Sequence, residues 1–267
     1  MTRSPAVLLR CGAGLLVAIL AGCASVGPTA PGDPLEPFNR ASYAFNDKLD
    51  QVVLKPVAIG YTKVTPQFVR SGVTNVFENV YDVATAVNNL LQGKPGQAAS
   101  DVGRVVVNST LGILGLWDVA TPMGLEKHNE DFGQTLGRWG VGSGPYLVVP
   151  LFGPTTLRDG IGRLADTPLG YYRYIDDKAT ANGVFALEMI NTRANLLNAS
   201  DAMDTAALDR YNFLRDAYLQ RRLRQVYDGK VPQEKLDELD ASLEVPDDRK
   251  PADKAPPPAE AKPPEPK

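Results

Sequence analysis

The chain has 267 residues, with 28 Lys and Arg against 31 Asp and Glu, for a formal net charge of -3. A nucleic-acid binder needs a basic face or stripe that such a balance does not supply, so nucleic acid is excluded as a partner. The first element is a leader: Arg3 and Arg10 give a charged start, and Cys11 to Leu20 give a short apolar run ending in small residues. That is the pattern of a secretory signal over residues 1–22, too short for a lasting membrane span, which needs about 20 apolar residues.

Leu20-Ala21-Gly22-Cys23 resembles the bacterial lipobox, in which the cysteine becomes the lipidated first residue of the mature protein. Acyl groups such as palmitate on Cys23 would hold the protein at a bilayer, each buried methylene contributing about 0.8 kcal/mol. Ala24 stands where an aspartate usually means inner-membrane retention in such lipoproteins, so an outer-membrane, periplasm-facing location is expected. With Cys11 removed and Cys23 acylated, no thiol remains for a disulfide, a redox pair or a metal. Residues 23–32 read as a flexible tether, 33–245 as the folded domain, and the Pro-rich residues 246–267 as a disordered tail that cannot bury enough apolar surface to order itself.

Within the domain the periodicity is helical, and the expected fold class is all-α. Phe38, Ala41, Phe45, Leu49 and Val52 form one apolar stripe. Thr65-Pro66 starts a helix carrying Val69, Val73, Val76 and Phe77, and Tyr81 to Gln92 reads as a separate helix stopped by Gly93. Val105 to Ala120 is largely apolar, with Leu111, Ile113, Leu114, Leu116 and Trp117 near its middle. Two readings stay open for it: a buried core helix, or an amphipathic segment lying in one leaflet with Trp117 at headgroup level. Gly133 to Gly153 is dense in glycine and reads as close-packed irregular backbone. Thr156 and Asp159 resemble a capping box, starting a helix on which Asp159, Arg163 and Asp166 share a face. Val184, Leu187, Ile190, Ala194 and Leu197 form another stripe, and Leu208 to Tyr227 a long terminal helix. Arg210, Arg221 and Arg224 fall near one side of it, facing water or anionic headgroups.

No catalytic set emerges, and no catalytic or metal residue is assigned. His128 is the chain's single histidine and sits in a polar run, Glu126 to Asp131, with the composition of a solvated loop and without partners for the common metal-ligand sets. Ser143 has Val141 and Pro145 where a nucleophile elbow needs glycines. No nucleotide loop is present, so the chain shows no energy-coupling motif of its own.

Several segments, taken in order, are similar to one family. Asp33-Pro34-Leu35-Glu36-Pro37-Phe38-Asn39-Arg40 resembles the opening motif of the VacJ/MlaA outer-membrane phospholipid-binding lipoproteins. Matches follow at Asn88 to Gly93, Arg104 to Gly112, Asp131 to Pro150 and Thr156 to Asp159, behind the right kind of leader. The resemblance implies a ring-like helical body in the inner leaflet of the outer membrane with an amphipathic channel. It also implies passage of stray outer-leaflet phospholipids to a periplasmic phospholipid carrier protein beside a trimeric porin, with no cofactor beyond the lipid on Cys23. On that reading Arg158, Asp159, Arg163 and Asp166 are the expected lining of the lipid path, and Leu111, Ile113, Leu114, Leu116 and Trp117 the expected membrane contact. A scaffold lipoprotein is the alternative; a lipid hydrolase lacks a nucleophile and a base.

Overall fold

The computed structural model describes residues 33–243, so the leader, the lipidated Cys23 with its tether, and the Pro-rich tail lie outside the described residues. Ten α-helices and one two-stranded hairpin make up the described body. Helix α1 (Glu36–Leu49) runs through a π-helical turn (Asp50–Leu54) into α2 (Lys55–Val64). Pro56 has no N–H for the carbonyl four residues back, and the helix widens there instead of breaking, with Lys55 N donating to the Asp50 carbonyl.

Helices α3 (Gln67–Leu91) and α4 (Pro95–Thr110) form an antiparallel pair joined at Gly93, whose φ of 75° ends the first of them. Where the apolar spacing predicts two helices over residues 65–92, the chain forms one, because Glu78 and Asn79 between the two stripes are helix-compatible. Next come a long turn, α5 (Phe132–Arg138), and strands β1 (Tyr146–Val149) and β2 (Gly153–Thr156). The strands pair antiparallel with Tyr146 opposite Thr156. The glycine-rich stretch is therefore partly regular: Gly153, with φ of 81°, stands at the hairpin turn, and the apolar Tyr146 to Val149 run supplies a strand.

Thr156 then caps α6 (Leu157–Asp166), its hydroxyl accepting from Asp159 N at 3.2 Å. Helices α7 (Lys178–Asn195), α8 (Leu197–Ala206), α9 (Arg210–Val226) and α10 (Gln233–Leu243) complete the chain. Packing runs round a closed circuit. The α1 helix meets β1, β2 meets α9, α9 meets α5, α5 meets α3, α3 meets α7, and α7 meets α2, which continues back into α1.

Helices α1 and α4 and the second half of α3 bury the opposite side from the one their stripes suggest, although Phe77 of α3 and Ala194 of α7 are buried. In α1 the buried residues are Asn39 and Ser42, while Phe38, Phe45 and Val52 stand exposed. In α4 Asp101, Arg104 and Asn108 are buried, while Val102 and Val106 face outward. In α3 Asn79, Asp82, Asn88 and Asn89 are buried, and Val83, Val87 and Leu90 are exposed. A water-soluble helix does the reverse. The small apolar core gathers Tyr146, Val148, Tyr211 and Tyr218 where the hairpin meets α9.

Candidate functional site

The polar interior is a set of joints with specific partners. On α1, Asn39 and Asn46 stand two turns apart on one face and act as a surrogate strand for the free edge of β1. Asn39 donates to the Tyr146 carbonyl at 3.0 Å and accepts from Val148 N at 2.8 Å; Asn46 donates to the Val149 carbonyl at 3.1 Å and accepts from Leu151 N at 2.7 Å. An edge strand left open is a site for unwanted pairing, and these amides close it. Asp33 is wholly buried and accepts from both Asn39, at 2.9 Å, and the Tyr211 hydroxyl.

A second joint shapes the long turn after α4. Arg104 is 2% exposed and donates to Asp82 at 3.2 Å, to both Asp118 oxygens at 3.3 Å, to the Thr121 hydroxyl at 2.9 Å and to the Leu125 carbonyl at 2.8 Å. Asn108 accepts from Val119 N and Ala120 N. Burial pushes the Asp118 carboxyl up, but the bonds from Thr121, Asn108 and Arg104 outweigh it and hold the carboxyl at about 2. Helix α4 stops at Thr110, so Val105 to Ala120 is not a buried core helix. Its tip is thrust outward: Leu114 is 76% and Trp117 59% exposed, with Leu111, Ile113 and Leu116 exposed beside them. Ile113 and Leu114 both sit at positive φ, 51° and 55°, a conformation costing a bulky residue about 1–3 kcal/mol. Gly115 (φ 86°) packs where a Cβ would come within 2.9 Å of Asn79, so the turn is pressed against α3.

The third joint centres on Arg222 of α9. Its guanidinium donates to Asp159 at 2.9 Å twice and to Asp131 at 2.6 and 2.9 Å. Tyr218 also donates to Asp159 at 2.9 Å, and Arg158 contacts the same carboxylate at 3.0 Å. Burial raises both carboxyls, yet the bonds and charge of Arg222 leave Asp131 and Asp159 below their ordinary range, while the same bonds drive Arg222 upward against its own burial. Gly133 of α5 and Gly162 of α6 let this joint form, since a Cβ on Gly162 would lie 2.3 Å from Gly133 N.

Of the four expected path residues, Arg158 and Asp159 are thus sealed in this joint, away from water. The Asp159 carboxylate consequently does not complete the capping box; it turns to Arg222 instead. Asp166 is half-buried, accepting from Phe132 N at 2.8 Å and Asn88 at 3.0 Å, and burial raises its carboxyl above the usual value. Arg163 alone among the four is exposed, on the side where Tyr81 and Tyr171 both donate to Glu188. The run Glu126 to Asp131 is no solvated loop: His128 bonds the buried Asp101 at 2.8 Å, and Glu130 pairs with Lys94 at 3.2 Å. Arg221 and Arg224 line a shallow polar depression beside Asp228, and Arg210 starts α9. Among the described residues no cluster of histidine, cysteine or carboxylates has the makings of a metal site.

Pattern reading missed Arg104, Arg222, Asn39, Asn46 and Asn108 as joints because it followed apolar residues. Three of the five were nevertheless inside motifs singled out above, where an asparagine or arginine facing away from the apolar stripe was the available signal.

These features define a class: a predominantly helical body assembled on buried polar joints and dressed in apolar side chains. Residues 31–225 match the family described as MlaA lipoprotein. The intermembrane phospholipid transport system lipoprotein MlaA of Escherichia coli is 40% identical over 211 residues, 76% of this chain and 82% of its own. That of Haemophilus influenzae is 32% identical over 231 residues, 83% of this chain and 92% of its own. A solved structure described as the structural basis for maintenance of bacterial outer membrane lipid asymmetry superposes with a TM-score of 0.66 at 36% identity, covering 73% of this chain and 98% of its own. The chain belongs to the MlaA lipoprotein family.

Proposed function

We propose that this protein is a lipid-anchored, periplasm-facing component of the outer membrane that removes mislocalised phospholipids from the outer leaflet and passes them onward, maintaining lipid asymmetry. The inverted dressing of α1, α3 and α4 carries this reading: Phe45, Val83, Val106, Leu114 and Trp117 stand exposed over buried Asn39, Asp82 and Arg104. Such a surface is stable among acyl chains and costly in water. Among the described residues no helix is long and apolar enough to cross a membrane, consistent with a body seated in one leaflet. The tip at Leu111, Ile113, Leu114, Leu116 and Trp117 is the leaflet contact. Arg163, with Asp166 behind it, serves the polar side of the lipid path, and Arg158 and Asp159 hold that side in shape. The protein acts as a conduit without turnover of covalent bonds, and its partners are membrane phospholipids, a trimeric porin and a periplasmic carrier.

The test is to extract the full-length lipoprotein in mild detergent and weigh it by native mass spectrometry. Phospholipid should remain bound, and less of it in Arg163→Glu. A protein carrying nothing beyond its own acyl groups would instead be a scaffold.

A further inference from the structure

Arg70 lies in the first turn of α3, and its Nε is buried without a hydrogen-bond partner. The guanidiniums of Arg104, Arg158, Arg193, Arg215 and Arg222, also buried or half-buried, each meet a carboxylate. Among the described residues no carboxylate lies within ion-pair distance of Arg70; its charge is felt by the Tyr61 phenol, which it pulls down against the larger upward push of burial. An unanswered buried donor on a cation is costly, so it calls for a ligand.

Arg70 borders a pocket of about 280 Å3 between α3 and the end of α7, lined also by Gln67, Ser71, Thr74, Asn75 and Asn195. The guanidinium is the one cation in this lining, and the neutral side chains are hydroxyls and amides that can donate or accept. The Thr74 hydroxyl is already occupied by Asn191 at 2.7 Å and Asn195 at 3.1 Å. The start of α3 has no side-chain cap; the Pro66 carbonyl takes the N–H groups of Val69 and Arg70, and the positive end of the helix dipole adds to the guanidinium. Glu78 is the one carboxylate on the rim; it faces Lys127 at 3.7 Å and lies two turns from Arg70, roughly 12 Å along the axis. An anion with several oxygens therefore fits the Arg70 end.

The surroundings of the pocket narrow the choice. Asn75 donates to the Leu116 carbonyl at 3.1 Å, and the Leu116 side chain packs over Gly72, so the apolar tip forms one lip. At the start of α3, Phe68 is 77% exposed, and Val64 just before it 80%. A polar cup with apolar flanks matches an amphiphile. We propose that this pocket binds the phosphodiester of a glycerophospholipid, with the acyl chains leaving over Leu116 and Phe68. The assignment rests on the lipid-transport reading and adds to it a headgroup site distinct from the Arg163 side.

The experiment incubates the full-length lipoprotein in mild detergent with a diacyl phospholipid carrying a photoactivatable diazirine on its glycerol end, and maps the labelled peptides. Labels should concentrate in residues 67–78 and 191–195. Arg70→Gln should reduce them at least fivefold with an unchanged unfolding midpoint, Arg70→Lys should retain part, and Arg173→Gln should change nothing. Labels elsewhere that ignore Arg70→Gln, while phospholipid still copurifies, overturn this site and leave the transport reading standing. Wild-type protein that neither labels nor copurifies phospholipid overturns both. Acyl-free glycerophosphodiester that displaces the label as well as diacyl lipid does would make this a free-phosphate site and overturn the lipid assignment.

Discussion

Arg104 and Arg222 are both buried guanidiniums held between two aspartates, but they connect stretches of chain at very different separations. Arg104 reaches residues 22 and 14 positions away; Arg222 reaches residues 91 and 63 positions away. The first fixes the shape of one turn and the tip it projects. The second ties α9 to α5 and α6 and so helps to close the circuit of helices. Buried ion pairs add little net stability compared with apolar replacements, but losing one partner strands the others. The same chemistry therefore governs local shape in one place and closure of the whole body in the other.

Removing Arg222 should have the largest effect. Arg222→Met leaves Asp131 and Asp159 without their principal counter-charge, and an unfolding loss of about 3–5 kcal/mol is expected, read as a lower urea midpoint of the protein in detergent. Amide exchange should quicken across α5, α6 and α9 together. Arg104→Met should cost less, about 2–3 kcal/mol, because Asp82 keeps Lys127 at 2.6 Å and Asp118 keeps the bonds from Thr121 and Asn108. Its faster exchange should be confined to residues 111–131. Equal loosening of every helix in both variants would erase the contrast between the two joints.

Acid should separate them more gently. Asp131 and Asp159 have depressed folded values, so their contribution is present above the ordinary carboxylate range, near 4, and fades as pH falls through those values. Asp118, held at about 2, should keep the tip clamped until near that pH. Asp166 has the opposite sign: its raised carboxyl destabilises the fold when ionised, and the fold gains as pH drops through its value. Exchange followed from pH 5 to pH 2 should show residues 111–124 staying protected until near pH 2; loosening there well above that pH would contradict the Asp118 assignment.

The helical class and most helix positions were legible because 3.6-residue periodicity and end signals such as Thr156 and Gly93 are local. Which side of each helix turns inward was not. Periodicity reports that a stripe exists, and the usual assumption that it faces the core fails when the outer surroundings are apolar. The hairpin was hidden because its strands are four residues each and one begins Gly153-Pro154. Arg158 and Asp159 were singled out as path candidates from their motif, yet Arg222, the partner of Asp159, lies more than sixty residues away, beyond any local pattern. The protruding tip was legible as one of two alternatives, of which the structure removes the buried core helix, since α4 ends at Thr110 and Ile113 and Leu114 are left-handed.

Asp33, wholly buried against Asn39 and Tyr211, has a consequence for how the body sits. Ten positions separate it from Cys23, and fully stretched they span at most about 36 Å. In the lipid-anchored state proposed above, the corner shared by α1, β1 and α9 would stay within about that distance of the bilayer surface.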